Sequence, residues 1–177
     1  STAAFLVVES FVNTIKFNLA DLSDTNKLGE LLGLLAQPGD IICLDGDLGA
    51  GKTTLVQAIG QGLEVAEDCY ITSPSFAILH EYEGRIPMYH MDFYRLQGPD
   101  EVEDLGFDEY FYGDGVAVIE WSKRAVEILP VERLSLEISL GDDLSRTVNL
   151  QHTARFSETV DGIKEMFQAP GNTASGQ

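Results

Sequence analysis

Apolar positions in this chain recur at two periods, and the switches between them lay out the elements. Val12 to Asn18 has strand spacing, with Ile15 and Phe17 on one face. A helix capped by Ser23 or Asp24 follows, with Leu28, Leu31, Leu32 and Leu35 at helical spacing, and Pro38-Gly39-Asp40 ends it. Ile41 to Leu44 is a continuous apolar run, as expected of a strand buried on both faces. The next helix starts near Lys52, with Leu55, Ile59 and Leu63 on one stripe. After Pro74 the period changes to two: Phe76, Ile78, His80 and Tyr82 alternate with Ala77, Leu79 and Glu81. Glu83-Gly84 then reads as a hairpin turn, with Ile86 to Phe93 returning. Residues 99–114 read as a short helix and loop. Val116 to Ile119 is a second doubly buried strand, and Ser122 to Leu129 reads as helical. Leu134 to Leu140 alternates, Gly141-Asp142-Asp143 turns, and Val148 and Leu150 lie on the returning strand. A last helix begins at Ser157, with Val160, Ile163 and Phe167 inward.

This order mixes βα units with hairpins. It predicts an α/β fold: a three-layer sheet with a mostly parallel core and antiparallel hairpin additions. Residues 1–168 read as a single domain and 169–177 as a disordered tail, small and polar.

Composition narrows the class. Acidic residues number 29 and basic residues 11 among 177, a formal charge of −18. Such a chain repels phosphate backbones and anionic membrane surfaces. With 44% apolar residues it still has the material of a globular core. No apolar run approaches the length of a membrane span, and the first residues lack the basic flank of a signal peptide. Cys43 and Cys69 form no metal-binding or disulfide pattern, which suits a reduced cytoplasmic setting.

One motif carries chemistry. Gly46-Asp47-Leu48-Gly49-Ala50-Gly51-Lys52-Thr53 matches G-x-x-x-x-G-K-[ST], between an expected strand and an expected helix. The glycines let backbone N–H groups turn toward phosphate oxygens, and the helix adds its positive end. Lys52 is placed for the β- and γ-phosphates of a nucleotide. The Thr53 hydroxyl is placed for Mg2+, and Thr54 for the α-phosphate. A second acid should end a buried parallel strand at the same edge. Glu120 closes Val116-Ala117-Val118-Ile119, and Asp92 closes Met88-Tyr89-His90-Met91. Either acid can hold the metal or orient the attacking water. Ser73-Pro74-Ser75 reads as a switch loop or a plain turn, and Arg95 as an internal cation or a partner of acids. Trp121, His80 and His90, taken alone, read as packing.

In order along the chain, the P-loop with Thr54, Ser73-Pro74-Ser75-Phe76, His90-Met91-Asp92-Phe93-Tyr94-Arg95-Leu96 and Ile119-Glu120-Trp121 resemble the bacterial TsaE (YjeE-type) ATPases of tRNA threonylcarbamoyladenosine biosynthesis. The resemblance runs from about Phe17 to Leu150. It implies an ATPase using ATP and Mg2+, with Lys52, Asp92 and Glu120 catalytic and Thr53 and Glu120 at the metal. Gly46, Leu48, Gly49, Ala50, Gly51, Lys52, Thr53, Thr54, Ser75, Trp121 and Lys123 then form the nucleotide-binding set. Ser75 stands where the family often has threonine, keeping the hydroxyl and losing a methyl. The resemblance also implies partners: two related sugar-kinase-fold proteins, one of which installs the threonylcarbamoyl group on the adenosine beside the anticodon. The small ATPase resets that complex between turnovers, is slow alone, and meets tRNA only through its partners. Two other classes compete from the motif alone, a small-molecule kinase and a nucleotide-gated binding module. Six arginines without a basic cluster argue against the kinase.

Overall fold

The computed structural model describes residues 11–170; residues 1–10 of the expected 1–168 domain and residues 171–177 of the expected 169–177 tail lie outside the described residues. Strand β1 (Asn13–Leu19) leads to α1 (Leu22–Leu35), β2 (Ile41–Gly46) and α2 (Lys52–Gly62). Then come β3 (Leu79–Tyr82), β4 (Met88–Asp92), α3 (Pro99–Asp104), α4 (Asp108–Phe111) and β5 (Val116–Glu120). A 3-10 helix (Ser122–Ile128), β6 (Leu134–Leu140), β7 (Arg146–His152), a short 3-10 turn (Ala154–Phe156) and α5 (Ser157–Gln168) complete the order.

The strands form one seven-stranded sheet in the order β1-β7-β6-β2-β5-β4-β3. Pairings β6–β2, β2–β5 and β5–β4 are parallel, while β1–β7, β7–β6 and β4–β3 are antiparallel. The expected α/β architecture with a parallel core and antiparallel edges is therefore found. Alternation within β2 shows why its sequence is apolar throughout. Ile42 and Leu44 pack into one core with α1, α2 and α5, while Ile41 and Cys43 pack into the other with Val102, Phe111 and Ala125. Helices on both faces leave no solvated side for the central strands. Residues 99–114, which hold seven acidic residues and no basic one, follow the same economy: Val102, Phe107 and Phe111 are buried and the carboxylates face outward.

Three expectations shift. Helix α1 starts before the expected caps, because the Asp21 side chain accepts from the Asp24 amide at 3.1 Å. Asp24 reaches back to accept from the Ala20 amide at 2.9 Å, a reciprocal arrangement like a capping box. The strand expected from Phe76 begins only at Leu79. The Ile78 amide donates to the Pro74 carbonyl at 2.7 Å, closing a tight turn that throws Phe76 into solvent. The segment after Glu120 is a 3-10 helix broken at Ala125, where the backbone leaves helical angles.

Helices α1 and α2 pack at very short range through glycines. A Cβ at Gly33 would drive into the Ile59 carbonyl and the Gly62 backbone, and one at Gly62 into the Glu30 carbonyl. Backbone cannot move aside as a side chain can. Gly33→Ala is expected to destabilise the protein by about 1–3 kcal/mol, despite alanine's better helix propensity. A urea midpoint equal to or above that of the unaltered protein would count against this packing.

Candidate active site

The parallel strands end at one edge of the sheet, and the loop from Gly46 to Gly51 leaves it to enter α2. Gly51, at the N-terminal cap of α2, has a φ of 103°, a left-handed conformation. A Cβ there would also lie 2.8 Å from the Arg146 Nε. This is the turn that the Gly-x-x-x-x-Gly spacing anticipates, and it leaves the first amides of α2 open toward a cleft.

The cleft has a volume of about 480 Å³. It brings together most of the residues singled out from sequence: Leu48, Gly49, Gly51, Lys52, Thr53, Thr54, Ser75, Asp92, Glu120 and Trp121. Gly46 and Ala50 do not line it; their carbonyls instead hold cleft residues, Gly46 accepting from Lys52 and Ala50 from Arg146. The Lys52 ammonium donates to the carbonyls of Gly46 (2.7 Å) and Asp47 (2.8 Å) and sits 4.4 Å from the Trp121 ring centroid. The loop thus holds its own lysine in place. Ala50 is buried, and its carbonyl accepts from the Arg146 Nε at 2.7 Å. Lys123 does not join the cleft. It pairs with Glu137 at 2.8 Å over a neighbouring depression, and that bond raises its pKa.

Strand register sets the two acids side by side, with Asp92 opposite Glu120 across the β4–β5 pair. Their hydrogen bonds differ. Asp92 accepts from the Ser73 hydroxyl at 2.6 Å and the Tyr94 amide at 2.9 Å, so both its oxygens are engaged. Ser75 reaches it only through Ser73, at 3.5 Å. Glu120 accepts from Thr53 Oγ1 at 3.3 Å on one oxygen and lies 2.6 Å from His90 Nε2 on the other. Hydroxyl and carboxylate oxygens are the hard donors that suit Mg2+. Among the described residues no group of three or more His, Cys, Asp or Glu makes a closed cage. A Mg2+ ion here would lean on Thr53, Glu120, water and the oxygens of its substrate.

Arg95, read from sequence as an internal cation or a partner of acids, lines the cleft, with its guanidinium 4.2 Å from the Phe76 ring centroid. Two contributors escaped the sequence reading. Arg146 enters from β7 and lines the cleft with Lys52 and Arg95; only strand register puts it there, and no local pattern marks it. Asp45 closes the apolar run of β2 just as Glu120 closes β5, and that shared signal was available. Its carboxylate accepts from the Ser122 hydroxyl and, at 3.2 Å, from the Lys123 amide, tying the segment after Glu120 to β2.

These features match a known family. A family model described as threonylcarbamoyl adenosine biosynthesis protein TsaE matches residues 19–148. The chain belongs to the TsaE family. The tRNA threonylcarbamoyladenosine biosynthesis protein TsaE of Bacillus subtilis is 42% identical over 135 residues, covering 76% of this chain and 83% of that protein. The TsaE protein of Nostoc sp. is 45% identical over 140 residues, covering 76% and 84%. The crystal structure of Bacillus subtilis YdiB superposes with a TM-score of 0.76 at 34% identity, over 86% of this chain and 95% of that one. TsaE membership accounts for the order of the four motifs, while the contacts above are this chain's own.

Burial pushes the Asp45 carboxyl above its ordinary range, although the bonds from Ser122 and Lys123 favour its ionised form. A raised value means that the folded state holds the proton more tightly than the unfolded chain. The contribution to stability is then full in acid and is lost as pH rises through the folded value. Asp45→Asn removes this titration. The stability of the variant relative to the unaltered protein should therefore increase between about pH 4 and pH 7 in urea unfolding. A difference independent of pH would contradict the burial argument.

Proposed function

We propose that this protein is a Mg2+-dependent ATPase that resets the assembly forming N6-threonylcarbamoyladenosine on tRNA, working in the cytoplasm as a single domain over residues 1–168. The observation that carries this reading is the cleft itself. A glycine loop, a helix N-terminus, Lys52, Thr53 and two strand-end acids converge there, in a family whose characterised members are named for that pathway.

In this reading the amides of α2 and the loop bind the phosphates of ATP, with Thr54 at the α-phosphate. Lys52 exchanges the carbonyls of Gly46 and Asp47 for β- and γ-phosphate oxygens. Thr53 and Glu120 are the residues that would hold Mg2+ or its waters, and the ion would supply neutralisation of the developing phosphate charge. Asp92, fixed by Ser73 and Tyr94, is the acid left to orient the attacking water. Ser73 and Ser75 couple the loop after α2 to that acid, so the nucleotide state can be felt at the exposed Phe76. Trp121 covers Lys52 and packs on Tyr94 with ring centroids 4.9 Å apart, closing one wall of the nucleotide site. Lys123 serves that wall from outside the cleft. The partners are two sugar-kinase-fold proteins, and tRNA contact belongs to them. The slow turnover of the isolated ATPase rises on their surface.

Hydrolysis of ATP should be measured with Mg2+, with and without the two partner proteins. Turnover that rises with the partners supports the reading. Phosphate appearing on a metabolite points instead to a kinase, and binding without turnover to a gated module. Lys52→Ala should reduce turnover about 100-fold, the typical loss when one charge-stabilising donor is removed. Unchanged kinetics would remove the central claim.

A further inference from the structure

His90 lies in the middle of β4, fully buried. It stands two residues before Asp92, so both side chains leave the strand on the same face. Its Nε2 lies 2.6 Å from Glu120 Oε2. An ionised carboxylate can only accept, so against that form of Glu120 the donor is Nε2. Its Nδ1 has no protein partner among the described residues. The other histidines differ. His152 Nδ1 meets the carbonyl of its neighbour Thr153 at 2.9 Å, and His80 Nδ1 meets the Tyr82 hydroxyl at 3.3 Å. Those contacts serve the local backbone and the strand surface. A buried polar atom without a partner is unusual, because burial normally demands satisfaction. At His90 the polar capacity of the ring goes to Glu120.

The consequence lies on the far oxygen. A glutamate at a strand end has three rotatable bonds, and its carboxylate must be compensated once buried. With Oε2 tied to His90, Oε1 is left facing Thr53 Oγ1, at 3.3 Å and in the cleft. We propose that His90 is a positioning residue: it fixes the Glu120 carboxylate so that Oε1 is the oxygen offered to Mg2+ or its bound water. This rests on the ATPase reading above. It also separates the two acids, because Asp92 has both oxygens engaged by Ser73 and Tyr94.

The test uses two substitutions that carry the same amide one methylene apart. His90→Gln reaches toward the position of Nε2, and His90→Asn toward that of Nδ1. The probe is the fluorescent analogue mant-ATP, read by energy transfer from Trp121, the only tryptophan in the chain and a cleft residue. Binding is titrated against Mg2+ and repeated in EDTA. Outer hydrogen bonds to metal-binding side chains are typically worth 10- to 100-fold in metal affinity. His90→Asn should need at least about tenfold more Mg2+ for half-maximal binding, and His90→Gln under about threefold more. Affinity in EDTA should be the same in both variants and the unaltered protein. Coincident Mg2+ requirements for the two variants would overturn the assignment, as would an equal loss in EDTA.

A measurement on the unaltered protein guards against variants that do not fold. In spectra of 15N-histidine-labelled protein, the His90 Nε2–H signal should move when Mg2+ is added to the nucleotide-bound state, while His152 stays still. A stationary His90 signal overturns the proposal. If the unaltered protein fails to bind mant-ATP, or binds it without regard to Mg2+, the ATPase reading falls and this one with it. A normal Mg2+ dependence with no split between the variants removes His90 alone.

Discussion

Two parallel pairings, β2 with β5 and β5 with β4, are the constraint on which the rest of the structure depends. Parallel strands bring like ends together, so one register choice delivers Gly46, Glu120 and Asp92 to the same edge. Antiparallel pairing would have sent one of the acids to the opposite side of the sheet. Side-chain alternation makes the choice strict, since a slip of one residue in β5 would turn Glu120 into the opposite core and expose Ile119 to the cleft. The same slip would move Val116, Val118 and Ile119, all fully buried, into the opposite cores, whose spaces are shaped for other side chains. The P-loop needs this foundation. Its lysine bonds to its own loop carbonyls, and Arg146 from β7 clasps the Ala50 carbonyl. The loop is held at both ends before any ligand arrives, which lowers the ordering cost of binding.

The glycines that α1 and α2 present to each other serve the same edge. Close backbone approach at Gly29, Gly33 and Gly62 brings α1 down on α2. Helix α2 is thereby pinned against the sheet by Leu55, Val56 and Ile59. In the proposed function the N-terminal amides of this helix bind phosphate, and such a helix must not tilt or slide, since geometric tolerance at a binding site is a fraction of an ångström. Helix α5 adds the outer brace through Phe167, whose ring meets Phe17 edge-on with centroids 5.2 Å apart.

How much of this was legible in the sequence follows from which interactions are local. The P-loop was legible because its function needs consecutive residues, and the doubly buried strands because burial on both faces leaves an unbroken apolar run. Glu120 and Asp92 stood out as acids ending such runs. Asp45 ends one too, yet its partners Ser122 and Lys123 are 77 and 78 residues away, so its role emerges only with the fold. Arg146 gave no signal, because nothing near it in the chain records that β7 runs beside the P-loop. Phe76 fitted a two-residue period by accident. A single bond from Ile78 to Pro74 closes a turn there, and apolar alternation cannot report such a bond. His90 read as packing because a histidine in an apolar strand usually is; its bond to Glu120 is a property of register and not of spacing.

Charge works at two ranges in this molecule. At −18 the protein as a whole repels a long polyanion, whose many phosphates each sample its field. A single nucleotide entering the cleft is governed differently, because screening cuts the influence of distant charges beyond about 8 Å at physiological salt. Within that radius it meets Lys52, Arg95, Arg146 and the positive end of α2, set against Asp92 and Glu120. Of the two acids, Glu120 keeps one oxygen bonded only weakly, to Thr53, and divalent cation brought with the nucleotide would offset it. On the proposed function, a cation arriving with the nucleotide would improve that local balance further. On that same proposal, a protein so charged would serve an RNA-modifying assembly by acting on its proteins, with its surface charge disfavouring direct contact with tRNA and its cleft still cationic enough for a nucleotide.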